Sequence, residues 1–130
     1  MRQTQTQHPR ASHTHRALGV QGEALAAEYL ESLGWQILDR NWRDGRRGEL
    51  DLVVRDRDVV IAVEVKTRSG TGYGTPFEAI TSLKASRLRR LLLGWVREHR
   101  PAAKQLRVDA IGIMMLPGKT PRIAHLRGIA

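Results

Sequence analysis

The 130-residue sequence predicts a single α/β domain, a central mixed β-sheet flanked by helices. Three observations predict it. Two stretches carry apolar residues at helical spacing. Five shorter stretches carry β-branched runs or period-two alternation. They follow one another in the order α-β-β-β-α-β-β. With 41% hydrophobic residues the chain can bury one core of its own.

Residues 1–17 mix Gln, Thr, His and Arg without an apolar period and are expected to form a disordered polar tail, leaving residues 18–130 as the domain. Leu18 to Leu33 is the first helical segment, with Leu25, Ala26, Tyr29, Leu30 and Leu33 on one face and Gly34 as its stop. A short apolar piece, Trp35 to Leu38, precedes a turn-rich basic stretch, Asn41 to Gly48. Glu49 to Val54 alternates as a half-buried strand does, and Arg55 to Asp58 is a charged turn. Val59 to Lys66 returns as the second arm of a hairpin. Ser69 to Gly74 is glycine-rich. Thr75-Pro76-Phe77-Glu78 offers a capping box with proline at the first helical position. A second helix, with a break expected near Thr81, runs through Leu83, Leu88, Leu91, Leu92, Trp95 and Val96 to about His99 and is closed by Arg100-Pro101. Val108 to Ile113 and Ile123 to Leu126 complete the strands, around the turn at Pro117-Gly118-Lys119.

Composition narrows the function classes. There is no cysteine, which excludes disulfides, thiolate metal sites and cysteine nucleophiles. No run approaches the roughly 18 apolar residues of a membrane span, and the leader lacks a secretory apolar stretch. A cytoplasmic protein without membrane association is expected. The net charge is +9 with a pI near 11.2, and 18 of the 22 basic residues are arginine, whose planar fork suits phosphate. A polyanionic partner, nucleic acid above all, fits that balance. Gly118-Lys119-Thr120 resembles the end of a phosphate-binding loop, but Ile113 stands where the motif requires glycine. His99 and His125 are isolated in the sequence and suggest no serine–histidine–acid arrangement.

The informative stretch is Gly48-Glu49-Leu50-Asp51-Leu52 with Val63-Glu64-Val65-Lys66. Period two puts Glu49, Asp51 and Val53 on one face of the first strand, opposite Leu50, Leu52 and Val54. On the second strand Glu64 and Lys66 share a face, with Val59, Ile61, Val63 and Val65 on the other. A turn centred on Asp56-Arg57 would set Val53 opposite Val60, Asp51 opposite Ala62 and Glu49 opposite Glu64. Like charges directly across a hairpin are destabilising. A hard divalent cation explains them: Mg²⁺ binds one or two carboxylates together with waters and a substrate phosphate. Lys66 could then steer the attacking water and steady the phosphate charge. Alternation alone favours a solvated polar face; the short separation, the single lysine and the basic surroundings favour the cation.

Asp51, followed after 12 intervening residues by Glu64-Val65-Lys66, resembles the D…(D/E)-x-K signature of the PD-(D/E)XK nuclease superfamily. The wider pattern resembles the YraN family of bacterial proteins. It comprises Gly22-Glu23, Asn41-x-Arg43, Gly48 to Leu52, Val63 to Arg68, Lys84 and Arg107-x-Asp109, and spans roughly Leu18 to Ile129. The resemblance implies a restriction-endonuclease-like fold close to Holliday junction resolvases, and a site metal, Mg²⁺ or Mn²⁺, at Asp51, Glu64, Val65 and Glu49. It also implies an acid on the first helix, which maps to Glu23. Leu50 stands where the superfamily name has proline.

Glu23 falls about 70° from the middle of the apolar face of its helix, within reach of the sheet; a first-turn acid favoured by the helix dipole is the plainer account. Lys84 lies inside the apolar stripe of the second helix, while Arg89, Arg90, Arg97 and Arg100 lie opposite. It reaches either the acidic cluster or, by snorkelling, water. The expected catalytic set is Asp51, Glu64, Lys66, Glu23 and Lys84, with Arg43, Arg46, Arg47 and Arg68 holding a nucleic-acid backbone. The expected activity is metal-dependent phosphodiester hydrolysis in DNA, including branched structures. Its rivals are a non-catalytic nucleic-acid-binding module and an RNA-directed endonuclease. Monomer and homodimer are both compatible with the sequence.

Overall fold

The computed structural model describes residues 11–70 and 75–130. Helix α1 (Ala11–Ser32) leads into strands β1 (Gln36–Arg43), β2 (Glu49–Asp56) and β3 (Val59–Arg68). A 3-10 turn (Pro76–Ala79), helix α2 (Ser82–His99) and strands β4 (Gln105–Met114) and β5 (Arg122–Leu126) follow. The expected element order is thus present. The first helix starts before the expected Leu18; residues 1–10 of the expected tail, and Gly72 and Gly74 of the glycine-rich loop, lie outside the described residues.

The five strands form one sheet in the order β1-β2-β3-β4-β5. Only β3 and β4 are parallel, and α2 makes their crossover, because a tight turn cannot join parallel neighbours. The sheet is therefore mixed, and its two faces are buried under different helices, a restriction-endonuclease-like α/β arrangement. Ala26, Ala27 and Leu30 of α1 pack with Trp35, Leu52, Val54, Ile61, Val63, Ile111 and Ile113 on one face. Leu88, Leu91, Leu92 and Trp95 of α2 pack with Leu50, Val53, Val60, Ala62 and Val108 on the other. Each fully buried valine, leucine or isoleucine among them contributes roughly 1.5–3 kcal/mol. Burial on both faces explains why β3 reads as an almost continuous apolar run.

Helix α1 ends at Ser32, with Gly34 at φ 86°, so Leu33 falls outside the buried face expected of it and is 40% exposed. Midway along its length α1 lies tight against β3, where a Cβ on Gly22 would collide with Thr67 Oγ1. Strand β1 continues through Asn41, Trp42 and Arg43, which read as turn residues in the sequence. Trp42 holds them in register: it packs against the α2 layer and donates from Nε1 to Glu98 Oε2 at 3.2 Å. The second helix breaks at Thr81 as expected, but its cap is Thr81 itself, whose hydroxyl accepts the Lys84 N–H at 3.1 Å. Thr75 makes no side-chain cap. Arg100, at φ 48°, ends α2 in the left-handed conformation ahead of Pro101.

The hairpin register differs from the expected one. Asp56 pairs with Val59, Val53 with Ala62 and Leu52 with Val63, so the turn is the two-residue Arg57-Asp58 and the strands are offset by two. An even offset keeps every side chain on its face, whereas a one-residue slip would invert them all. Alternation fails at one place: Leu50 enters the α2 layer while Leu52 enters the α1 layer. This follows from the β2–β3 ladder ending at Leu52–Val63.

Candidate active site

Where β2 and β3 stop pairing, the Asp51 side chain takes over. Its Oδ2 accepts the backbone N–H of Val65 at 2.9 Å. Asp51 thereby lies beside Glu64 and not opposite Ala62. Glu49 pairs across to Arg43 on β1, not to Glu64. Glu64 is 6% exposed on the α2 side of the sheet, flanked by two cations: its Oε2 is 2.9 Å from Lys84 Nζ and 3.7 Å from Lys66 Nζ. The Thr81 cap starts α2 three residues before Lys84, and so aims that lysine at β3.

These residues line one cavity of about 410 Å³, whose walls are Glu23, Arg47, Gly48, Glu49, Asp51, Glu64, Val65, Lys66, Lys84, Arg87, Leu88 and Leu91. Four acids and two lysines face a shared space, with leucines of α2 as its apolar wall. Gly48, at φ 138°, keeps the wall clear: a Cβ there would press to 3.1 Å from Leu91 Cδ1. Glu23 arrives from α1, brought to the sheet by the close Gly22–Thr67 approach.

The electrostatics are those of crowded carboxylates. Burial, then the negative charge of Glu64, pushes the Asp51 carboxyl up to about 8, against the Val65 amide, which favours the ionised form. Burial and the charge of Glu49 raise Glu23, an effect its hydrogen bond with Asn41 offsets in part. Burial alone would depress Lys84, but its contact with Glu64 outweighs that and raises it. No group of three or more histidine and acidic side chains converges as a ready metal cage among the described residues. The donors present are hard oxygens: Asp51 and Glu64 beside the Val65 backbone. A cation that needs only one or two carboxylates and keeps its waters, as Mg²⁺ does, fits that set better than one demanding an all-protein cage. A bound dication would also relieve the repulsion between Asp51 and Glu64.

The cavity therefore brings together Asp51, Glu64, Val65, Lys66, Glu23, Glu49, Lys84 and Arg47 of the expected residues. Three expected backbone-holding arginines lie outside its lining. Arg43 is hydrogen-bonded to Glu49 Oε2 at 3.1 Å, Arg46 is exposed in the β1–β2 turn, and Arg68 is exposed at the end of β3. The residue that sequence reasoning missed is Arg87. It stands three positions after Lys84, on the adjoining helical row, and that spacing was the available signal.

The two histidines set aside in the sequence are both tied to acids. His125 Nε2 lies 2.9 Å from Asp109 Oδ2, and its Nδ1 is 3.0 Å from the Tyr29 hydroxyl. Asp109 is fully buried; Arg107 donates to both its oxygens at 2.8 and 3.0 Å, and Gly128 N–H adds a fourth bond. Burial works to raise the Asp109 carboxyl, but the hydrogen bonds from His125, Arg107 and Gly128 prevail and hold it below the usual range. His99 stacks on Trp95 with ring centres 4.1 Å apart, beside Asp39, which accepts from Trp95 Nε1 at 2.8 Å. Neither histidine lines the acidic cavity.

A family model described as "Uncharacterised protein family UPF0102" matches residues 22–113. A UPF0102 protein of Nocardia farcinica is 49% identical over 113 residues, covering 87% of this chain and 88% of its own length. One from Rhodococcus opacus is 49% identical over 111 residues, covering 85% of this chain and 93% of its own length. One from Leifsonia xyli subsp. xyli is 49% identical over 112 residues, with coverages of 86% and 94%. None of these descriptions states a reaction.

Proposed function

Because the chain belongs to the uncharacterised protein family UPF0102, a description without a reaction, we propose from its site that it is a Mg²⁺-dependent nuclease, hydrolysing phosphodiester bonds in nucleic acid, DNA in preference to RNA. The observation that carries this reading is the pairing of half-buried Asp51 with buried Glu64, flanked by Lys66 and Lys84, in a cavity with Arg47 and Arg87 at its wall. Buried like charges cost stability, so their placement calls for a ligand that needs them. A solvated polar face does not account for Glu64 at 6% exposure.

In this reading Asp51, Glu64 and the Val65 backbone would hold the metal. A bound dication, Mg²⁺ or Mn²⁺, would supply a Lewis acid and lower the pKa of water there. Lys66 orients the attacking water. Lys84, at the wall of the same cavity, would meet the charge developing on the phosphoryl oxygens. Glu49 and Glu23, which line the same cavity, would serve as auxiliary acids. The water oxygen forms the new P–O bond, the bridging P–O bond breaks, and the departing oxygen ends as a hydroxyl. Arg47 places the backbone.

The test is a cleavage panel of duplex, single-stranded, four-way and flap DNA with structured RNA, in Mg²⁺ or Mn²⁺. Glu64→Ala, Asp51→Ala and Lys66→Ala are each expected to lose divalent-dependent cleavage, by about 10² or more where a charge-stabilising group is removed, while still binding nucleic acid. Wild-type cleavage rates in Glu64→Ala would overturn the assignment. One contact favours a second reading: the 2.9 Å pair between Lys84 and Glu64 already neutralises a metal-ligand carboxylate. A binding module that keeps the fold without chemistry predicts nucleic-acid binding with no cleavage of any substrate.

A further inference from the structure

We infer that one stripe of helix α2, Arg87, Arg90 and Arg97, is the track along which a nucleic-acid backbone runs to the acidic cavity. This deepens the nuclease reading and rests on it for the identity of the polyanion.

Four positions of α2, Arg87, Arg90, Gly94 and Arg97, line a second cavity of about 400 Å³ with Asp44, Arg47 and Leu91. The spacings of three, four and three residues place them on one helical row, turned away from the buried row of Leu88, Leu92 and Trp95. Arg47, Arg87 and Leu91 line both this cavity and the acidic one, so the two spaces adjoin. The groove thus leads out of the site along the helix. From Arg87 to Arg97 the helix rises about 15 Å, enough for roughly four phosphates at 3.4 Å of axial rise per strand.

The arginines are exposed, and among the described residues no carboxylate lies within 4.0 Å of Arg87, Arg90 or Arg97. The groove's one acid, Asp44, stands 3.8 Å from Arg47. Gly94 leaves the groove floor bare between Arg90 and Arg97; a Cβ there would point toward Trp42 and Asp44 at 3.6 and 3.8 Å. Planar guanidinium forks along an open groove suit phosphate oxygens, which accept two parallel N–H bonds. Basic charge elsewhere on α2 is differently disposed. Arg89 donates to the Leu106 carbonyl at 3.3 Å, and with Lys104 it lines a separate cavity at the far flank.

The experiment compares two double variants of equal charge change, Arg90→Gln/Arg97→Gln in the groove and Arg89→Gln/Lys104→Gln on the far flank. Affinity of each full-length chain for a fluorescein-labelled 20-base-pair duplex is measured across a salt series in EDTA. Each lost duplex phosphate contact lowers the slope of log affinity against log salt by about 0.9. The groove variant is therefore expected to lose about 1.8 from the slope and the flank variant almost none. Equal losses in both variants, or a wild-type slope in the groove variant, overturn the track. So does wild-type chain that ignores the duplex and binds phosphatidylserine vesicles. Binding is read without metal, so failure of the hydrolytic reading leaves this outcome legible. A wild type that cleaves DNA while the groove variant keeps its slope overturns the track alone.

Discussion

Asp51 and Glu64 occupy neighbouring positions with opposite support. Glu64 has two lysines within 4 Å, whereas Asp51 has a backbone amide and an anionic neighbour. The cost of the cluster therefore falls on Asp51, whose carboxyl is raised to about 8. Below pH 4 or so both folded and unfolded chains hold that proton and the group is neutral to stability. Between the unfolded value near 3.9 and the folded one the unfolded chain binds fewer protons, so stability falls as pH rises, and above the folded value the penalty is complete. Asp51→Asn keeps an acceptor for the Val65 amide and removes the charge. It is expected to melt higher than wild type in metal-free buffer at pH 8.5 and together with it near pH 4. On the metal-dependent reading, Mg²⁺ at a hundredfold excess over Kd is expected to add about 2.7 kcal/mol to wild type and much less to Asp51→Asn. Thermal melts at both pH values, with and without Mg²⁺, check this. A variant less stable than metal-free wild type at pH 8.5 would contradict the crowding account. Glu64→Gln is a poorer probe, because it leaves Lys84 half-buried without its partner.

At the scale of elements, the site depends on two contacts that set helices against the sheet. Gly22 lets α1 approach Thr67, and this brings Glu23 to the cavity. Gly22→Ala is expected to cost about 1–3 kcal/mol by overpacking, although alanine is the better helix former. Adding Thr67→Ala should restore much of that loss, since it removes the obstructing hydroxyl. Urea melts of the two single variants and the double give the coupling, and strict additivity would disprove the contact. The second contact is the Thr81 cap, which starts α2 where Lys84 can reach Glu64. Thr81→Ala is expected to cost about 1 kcal/mol and to lower kcat more than the affinity for nucleic acid. Equal effects on both would show that the cap supports α2 without aiming Lys84.

Across the whole molecule the two layers are organised differently. The α2 side carries the arginine groove and most of the acidic cavity, to which α1 adds Glu23. The α1 side carries the Asp109 network, which joins β4 to Tyr29 of α1, His125 of β5 and the C-terminal Gly128. Asp109 is fully buried, so Asp109→Ala is expected to destabilise the chain by about 3–5 kcal/mol, the cost of leaving Arg107 without its partner in a buried setting. Its effect on the Asp51 environment should be small, because the sheet stands between them. A melt together with the pH dependence of stability separates the two: the variant should melt lower yet keep the alkaline decline. The described helices include none long and apolar enough to cross a membrane.

The sequence alone determined the order of elements and the faces of β2 and β3 that carry acid. Period-two and period-3.6 patterns report which side of an element is buried, and an even register error leaves that side unchanged. It also determined most of the cavity lining, because Asp51, Glu64, Lys66 and Lys84 stand out as charges among apolar neighbours. Tertiary structure decided what depends on strands that are distant in sequence or cease to pair. The end of the ladder at Leu52 sends Leu50 to the other layer and frees Asp51 to bind Val65. Trp42 extends β1 through residues of turn character, by packing on a helix some fifty positions away. The acids tied to His99 and His125, and the groove that joins Arg87 to Arg47, exist only once α1 and α2 lie on opposite faces of the sheet. Such contacts reflect the summed burial of two helices and leave no local period to read.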